Sequence, residues 1–298
     1  MPRKNKVQNK AQLEFDLKRE REPDRNAHLG GRSFYFFDFD DNVAYLSTPI
    51  IIFHKETGEE LSLSSGIFAQ NSKKIGLEGP YKDYFLNFDD SVGSFRYFRD
   101  ENFNFFEKIQ GKKQTFVQDI REALEKMDYH WKAPSWNCFY HATFNKRPTS
   151  IITARGHHKK TIREGIKEIV HQGHLPHDPN YLSIFPVSNP DTRKQLGDNE
   201  LKSSVPDLKR SAIRESVDLA LRKYGYSPHH RFGMSDDDPK NVEMITEEMR
   251  ALKRKFPEMS FFVIHTTEDG YDKMEVKANS TRRRRNIPAN QMQLDLFN

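Results

Sequence analysis

Short apolar runs alternate with stretches of helical periodicity along much of this chain. Apolar residues at helical spacing predict helices over 159–172, 206–224 and 241–256, the second with Ser204 as its N-cap. Apolar runs typical of buried strands stand around these helices, over 34–39, 149–153, 181–187, 231–235 and 260–264. Alternation of this kind predicts a three-layer α/β fold built on a parallel sheet.

The first strand is separated from the second by the long segment 44–148. This segment contains a predicted helix over 114–127 and an aromatic-rich stretch over 95–98. It is too long for a structureless loop, so we expect it to fold as a cap or lid inserted into the core. The core would then consist of residues 33–43 and 149–276, flanked by a mobile arm over 1–32 and a flexible tail over 277–298.

Composition narrows the class of protein. The 298 residues suffice for one large domain or for a core with an insertion. A single cysteine, Cys138, excludes an intramolecular disulfide and a cysteine-built zinc site. The aliphatic run Ile50–Ile52 is far too short to span a bilayer, so the sequence predicts no membrane association and a cytoplasmic protein.

Basic residues exceed acidic ones, with a formal net charge of +5. The run Arg282–Arg285 near the C-terminus supplies most of this excess. Such a run is consistent with a solvated tail or with a contact to nucleic acid. The sequence leaves both interpretations open.

Acidic residues cluster at the end of the first predicted strand, where Asp38, Asp40 and Asp41 follow the apolar run Phe34–Phe37. A carboxylate beside a buried strand is costly unless a cation or hydrogen bonds compensate it. Open α/β sheets place their chemistry at the carboxyl ends of strands. The segment therefore predicts a catalytic, metal-binding loop.

Three further polar signals follow at the ends of predicted elements. Thr153 ends the second strand, Lys209 lies near the start of a helix, and the acidic run Asp236–Asp238 ends the fourth strand. Because a parallel sheet brings the carboxyl ends of its strands to one edge, these residues can converge with Asp38 and Asp40.

This order of motifs resembles the haloacid dehalogenase (HAD) superfamily of phosphohydrolases. The resemblance covers residues 33–43 and 149–264 and implies a HAD-type Rossmannoid core with a cap inserted after the first strand. It implies that Asp38 is the nucleophile and forms an aspartyl phosphate, and that Asp40 is the general acid and base.

The resemblance also assigns the metal and the phosphoryl contacts. Mg²⁺ would be held by Asp38, by Asp40 through its backbone carbonyl, and by Asp236 or Asp237. Thr153 and the amides that open the next helix would bind the phosphoryl oxygens of a phosphorylated substrate. Lys209 would neutralise charge on Asp38 and on the transferring group.

Several assignments remain open at this point. The family usually has Gly and then Thr or Val after the second acid, whereas this chain has Asp41 and Asn42. Lys202 lies close enough in sequence to compete with Lys209, and the sequence does not decide which of Asp236–Asp238 binds metal. Arg155 is either a contact to the substrate phosphate or an exposed residue at a helix entry.

The C-terminal pentapeptide Gln293, Leu294, Asp295, Leu296, Phe297 resembles the bacterial sliding-clamp-binding motif. Leu and Phe anchors on a tether suit an apolar pocket on a partner. The alternatives are a chance amphipathic pentamer and a tail that docks on its own domain.

The sequence thus predicts a Mg²⁺-dependent phosphatase acting on nucleic-acid ends or nucleotides in DNA repair or replication. An alternative is a HAD phosphatase of a soluble metabolite, unrelated to DNA. A further alternative is a non-catalytic, nucleic-acid-associated adaptor on a degenerate HAD scaffold, which the unusual pair Asp41–Asn42 keeps open.

Overall fold

A computed structural model describes residues 20–267 and 270–288 of the chain. Its strands are β1 (Ser33–Phe37), β2 (Ile50–His54), β3 (Glu60–Leu63), β4 (Tyr84–Phe85), β5 (Pro148–Thr153), β6 (Asn180–Pro186), β7 (Arg231–Asp236), β8 (Ser260–Thr267), β9 (Gly270–Val276) and β10 (Thr281–Pro288). Its α-helices are α1 (Ser65–Asn71), α2 (Phe105–Ile109), α3 (Thr115–Leu124), α4 (Asp128–Trp131), α5 (Trp136–Phe144), α6 (Lys159–His171), α7 (Pro190–Gln195), α8 (Val205–Tyr224) and α9 (Pro239–Lys255).

The main sheet has the strand order β10-β9-β8-β7-β1-β5-β6. The five strands from β8 to β6 are parallel, and β9 and β10 extend the edge next to β8 in antiparallel pairing. In β1, Tyr35 pairs with Thr149 of β5 and Phe36 with Met234 of β7. A separate antiparallel sheet has the order β3-β2-β4.

Helices cover the main sheet on two faces. Phe36, Met234 and Val263 pack with residues of α8 and α9 on one face. Phe37 and Ile151 pack on the other face with residues of α3, α5 and α6. Because a parallel sheet is buried on both faces, its strands are continuously apolar, which is the pattern that predicted them.

The predicted strands and helices of the core are present, with ends that differ by a few residues. Ser204 is the N-cap of α8, because its hydroxyl accepts a hydrogen bond from the Asp207 amide. The α/β class and the parallel arrangement of the predicted strands are therefore confirmed.

The predicted boundary of the insertion is wrong at its C-terminal end. Phe116, Trp131 and Phe139 of α3, α4 and α5 are buried in the same apolar cluster as Phe37 and Ile151. These helices therefore form part of a layer of the core. The small sheet and the short helices α1 and α2 belong to the preceding part of the segment 44–148.

The predictions for the two ends of the chain are corrected where the structure describes them. Residues 20–32 are not a free arm, since Asp24 accepts hydrogen bonds from Ser33 and forms an ion pair with Arg147. Beyond residue 277, Thr281–Pro288 is a strand paired with β9. Arg282–Arg285 therefore lies within a strand and not within a flexible tail.

Within the described ranges 20–267 and 270–288, none of the helices is both long and apolar enough to cross a membrane.

Gly165 marks the closest approach of α6 to α3. A Cβ atom at Gly165 would lie 2.4 Å from Cε1 of Phe116, whose ring is fully buried. We expect Gly165→Ala to lower the free energy of unfolding by about 1–3 kcal/mol, because the ring must shift within a packed core. Urea denaturation measures the change.

The matched control is Gly66→Ala in the exposed helix α1, where a Cβ atom would meet nothing within 4 Å. This substitution should raise stability by about 0.5–1 kcal/mol through helix propensity. Equal effects of the two substitutions would contradict the proposed close packing.

Candidate active site at the carboxyl edge of the sheet

The predicted acids converge where the chain reverses its direction across the sheet. From β1 the chain proceeds to β5 and β6 on one side, and it then returns to β7 on the other side of β1. The carboxyl ends of β1 and β7 are therefore adjacent at a topological switch point, where open α/β sheets bind their ligands. Asp38 follows β1 and Asp236 ends β7.

Lys209 of α8 connects these two acids. Its side chain is 2% exposed, and its Nζ lies 3.0 Å from Oδ2 of Asp236 and 3.4 Å from Oδ2 of Asp38. Burial acts to lower the pKa of Lys209, but Asp236 and Asp38 outweigh it and raise the pKa above its ordinary value. The two acids therefore favour the charged form of Lys209, whose ammonium lies between them.

Lys202, the other candidate lysine, does not contact these acids. Its side chain is 79% exposed and pairs with Glu200. The structure thus resolves the choice between the two lysines in favour of Lys209 as the one in contact with the acids.

A third carboxylate, Asp237, lies close to the two that contact Lys209. Ligand atoms of Asp38, Asp236 and Asp237 lie within 4.8 Å of one another. Burial, opposed by Lys209 and reinforced by the neighbouring acids, raises the pKa of Asp38 well above its ordinary value. Burial and Asp236 raise the pKa of Asp237 to about 7. With all three acids ionised, the group carries two negative charges in excess, which a divalent cation would neutralise.

A metal ion fits this group on a further ground. Oδ1 of Asp38 is buried and has no hydrogen-bond partner among the described residues. A buried carboxylate oxygen without a partner is costly, and hard divalent cations such as Mg²⁺ bind such oxygens. Asp38 and Asp237 would hold the ion together with Asp236.

Asp236 is oriented by the residues that follow it. Its Oδ1 accepts hydrogen bonds from the Asp238 amide at 3.1 Å and from Nδ2 of Asn241 at 3.0 Å. Asp238 is the N-cap of α9, where its carboxylate accepts a hydrogen bond from the Lys240 amide. Asp238 is exposed, caps the helix and is not one of the clustered carboxylates, so it is not a candidate metal ligand.

Asp40 has a different environment, dominated by Arg155. Nε of Arg155 donates to both carboxylate oxygens of Asp40, at 3.0 and 2.9 Å, and Nη2 donates to Oδ1 at 2.6 Å. Thr153 donates to Oδ2 of Asp40 at 3.2 Å. The predicted residues Asp40, Thr153 and Arg155 therefore lie together, with Thr153 and Arg155 both hydrogen-bonded to Asp40.

Arg155 is buried and held by ring contacts and hydrogen bonds, although its Nη1 has no hydrogen-bond partner among the described residues. It is 1% exposed, and its guanidinium lies 4.8 Å from the ring centre of Phe98 and 4.7 Å from that of Phe116. Nη2 also donates to Thr48 at 2.6 Å, and Thr48 in turn donates to the buried carboxylate of Asp119. The interpretation of Arg155 as an exposed helix entry is wrong.

Asn42 ties the acidic loop to the sheet. It is fully buried, and its Nδ2 donates to the carbonyl oxygen of Asp38 at 3.0 Å and to Oγ of Ser235 at 2.9 Å. Its Oδ1 accepts hydrogen bonds from Ser135 at 3.0 Å and from Thr266 at 2.8 Å. The residue that departs from the family pattern thus anchors the backbone of the nucleophile candidate.

Asp41 lies at the turn of this loop. Its φ is 56°, a left-handed conformation that few residues other than Gly, Asn and Asp adopt readily, and its amide donates to the Ala44 carbonyl at 3.0 Å. Burial raises the pKa of its carboxyl group, whereas a hydrogen bond with the side chain of Ser65 lowers it. Asp41 therefore contacts the insertion and is not one of the three clustered carboxylates.

Comparison with known proteins found no match to this chain among protein-family models, curated proteins or solved structures. The clamp-like pentapeptide 293–297 lies outside the described residues.

Sequence reasoning missed the residues that support the acids. Asn241, Thr48 and Asp119 contact the site from positions that carry no strand-end signal. A signal existed for Asn241, because the first turn of a helix that follows an acidic strand end faces that end. Thr48 and Asp119 come from the insertion, whose packing the apolar pattern does not reveal.

We expect Asn42→Ala to lower the free energy of unfolding by about 2–3 kcal/mol, because it leaves the buried groups of Ser135, Ser235 and Thr266 without a partner. Chemical denaturation measures the loss. Asn71→Ala, which removes a surface hydrogen bond in α1, serves as the control and should change stability by less than about 0.5 kcal/mol. A loss at Asn42 no larger than at Asn71 would refute its anchoring role.

His157 generates a pH-dependent prediction. It is fully buried, neither ring nitrogen has a hydrogen-bond partner among the described residues, and burial together with Arg155 and Arg99 lowers its pKa to about 2. Since the unfolded histidine titrates near about 6.5, only the unfolded state gains a proton as the pH falls below that value. Stability from this residue is therefore complete above pH ~6.5 and declines by up to about 1.4 kcal/mol per pH unit below it.

His157→Leu should make the decline of unfolding free energy between about pH 6.5 and 5 shallower by that amount. Urea denaturation at a series of pH values measures the slope. The unmodified chain, measured under the same conditions, is the reference for the slope. An identical slope for His157→Leu and the unmodified chain would show that His157 is not buried in neutral form.

Proposed function

We propose that this chain is a Mg²⁺-dependent phosphatase that uses Asp38 as a nucleophile. The observation that supports this most directly is the group formed by Asp38, Asp236, Asp237 and Lys209 at the switch point of the sheet. The resemblance to the HAD superfamily of phosphohydrolases, drawn from the order of the same residues, supports the same reaction.

Each of the chain's own groups has a role in the proposed reaction. An oxygen of Asp38 attacks phosphorus, so that a bond from Asp38 to phosphorus forms while the bond to the leaving oxygen breaks. The leaving oxygen takes a proton from Asp40, and Asp40 later accepts a proton from the water that releases phosphate from Asp38. The Lys209 ammonium stabilises negative charge beside Asp38 during both steps.

Mg²⁺, held by Asp38, Asp236 and Asp237, would neutralise charge on the transferring phosphoryl group. The oxygen of Asp38 without a hydrogen-bond partner and the excess negative charge of the group support this ligand set.

Arg155 supports the reaction through Asp40. Three hydrogen bonds to the Asp40 carboxylate and two stacked rings fix the position of this acid. Arg155 is therefore proposed as a positioning residue for Asp40, and its contact to the substrate phosphate stays a prediction from the sequence.

The substrate class separates the remaining alternatives. The run Arg282–Arg285 and the clamp-like pentapeptide 293–297 favour phosphorylated nucleic-acid ends or nucleotides, delivered through a sliding clamp. A soluble metabolite is the alternative if the tail is unrelated to substrate. A panel of nucleotides, sugar phosphates and DNA with 3′- or 5′-phosphate ends distinguishes the two.

We expect Asp38→Asn to abolish Mg²⁺-dependent phosphate release and to leave or raise the free energy of unfolding. Activity is lost because an amide oxygen is a poor nucleophile, and stability is kept because a neutral group replaces a buried carboxylate surrounded by other acids. Lys209→Met should lower kcat by at least about 100-fold. Phosphate release on the substrate panel and urea denaturation measure the two effects.

Two substitutions serve as controls for this experiment. Asp238→Asn and Lys202→Met affect exposed groups outside the carboxylate cluster, so both should retain activity within about twofold. Full activity of Asp38→Asn would overturn the proposed mechanism. Absence of turnover on every substrate by the unmodified chain would favour the non-catalytic adaptor.

A further inference from the structure

A cavity lies on the sheet face that carries α5. It has a volume of about 460 Å³, and neither Asp38, Asp236 nor Lys209 is among the described residues that line it. It exists because α5 packs on β1 and β5, whereas the neighbouring strands β7, β8 and β9 present their side chains of this face to the cavity. The cavity is therefore separate from the acidic group.

Gly233 of β7 keeps the floor of the cavity open. A Cβ atom there would lie 3.4 Å from Cδ1 of Ile264 and 3.7 Å from Cβ of Phe262, both of which line the cavity. These are ordinary van der Waals distances, so a side chain fits at Gly233 and would occupy cavity space. The size of the cavity suits a small molecule.

The wall beyond Gly233 combines an aromatic ring with two cations. The guanidinium of Arg231 lies 4.9 Å from the ring centre of Phe262, and Nζ of Lys273 lies 5.0 Å from the same centre. Within the described part of the chain, Arg231 has no carboxylate within ion-pair distance. Burial and the nearby Arg25 lower the pKa of Arg231 and outweigh Tyr35, Asp24 and Glu275, which act to raise it.

Asp24, which also lines the cavity, is not in ion-pair contact with Arg231 but is bound to other groups. Asp24 accepts two hydrogen bonds from Ser33 and pairs with Nη1 of Arg147 at 3.3 Å. Nη2 of Arg147 donates to the carbonyl oxygens of Glu22 and Pro23, which holds this segment at the rim. Since none of the acids in the described ranges forms a direct ion pair with Arg231, its guanidinium can contact an anionic ligand.

We propose that this cavity binds a small anion with a flat apolar body. The anionic group would contact Arg231, and the flat body would lie against Phe262, Ile264 and Tyr35, the last of which lines the cavity from β1. A charge-assisted hydrogen bond gives the anion its preference, and burial of the flat body gives the remaining affinity.

Binding in the cavity can be detected at the side chain of Asn42. Ser135 and Thr266 line the cavity, and both donate hydrogen bonds to Oδ1 of Asn42. A ligand in the cavity should therefore shift the side-chain amide resonances of Asn42. The proposal itself does not depend on phosphatase activity.

The experiment is a titration of the full chain with 2-naphthoate and with 2-naphthamide, which share a flat body but differ in charge. Isothermal calorimetry measures affinity, and NMR follows the side-chain amide of Asn42. We expect the carboxylate to bind at least about tenfold more tightly than the amide, with a shift at Asn42.

Two variants locate the site. Arg231→Gln should remove the preference for the carboxylate and keep the affinity for the amide, whereas Gly233→Val should weaken both probes at least about tenfold. Gly233→Ala, a smaller addition, should weaken both to a lesser extent. Arg222→Gln, at an exposed arginine paired with Glu215, should change neither affinity.

Several outcomes would overturn the proposal. They are the absence of binding by either probe, a carboxylate preference that persists in Arg231→Gln, and binding unaffected by both substitutions at Gly233. Urea denaturation of each variant establishes that the chain is folded before its affinity is compared.

Discussion

The ammonium of Lys209 lies between the carboxylates of Asp38 and Asp236, in a place from which water is almost excluded. Two buried carboxylates at the ends of adjacent strands would repel each other strongly without it. This contact links α8 to the adjacent carboxyl ends of β1 and β7. With Asp237 included, the carboxylates outnumber the ammonium, and a divalent cation would neutralise the excess negative charge.

Around this centre the chain arranges two kinds of support. Aromatic rings of Phe98 and Phe116 hold Arg155, which in turn holds Asp40. Uncharged hydrogen bonds through Asn42 hold the backbone of Asp38. The first kind fixes an acid through packing and charge, and the second fixes the loop through buried polar groups that must all be satisfied. The cavity adjoins the hydrogen bonds of Asn42, because Ser135 and Thr266 line it.

Apolar periodicity predicted the core strands and helices because both faces of a parallel sheet are buried. The same signal failed in the segment 44–148, since an apolar helix has the same pattern whichever core it joins. It also failed at Arg282–Arg285, because an edge strand pairs through its backbone and its polar side chains conceal that pairing.

The candidate site was predictable to the level of the sheet edge. Strand order brings Asp38 and Asp236 together, as the positions of the acids at strand ends predicted. The partners of individual side chains were not predictable, because they depend on rotamers and on loops. The local sequence predicts neither the contact of Arg155 with Asp40 nor the hydrogen bond of Asn42 to the backbone of Asp38.

The hydrogen bonds of Asn42 also affect when the acidic loop can fold during synthesis of the chain. Asn42 lies early in the chain, whereas its partner Thr266 follows 224 positions later. During synthesis the acids emerge long before the residue that completes their loop, so a long chain closure must precede the finished geometry. A partly synthesised chain therefore carries the acidic residues without their final arrangement. The final arrangement of the acidic loop and the completion of the fold therefore become the same late event.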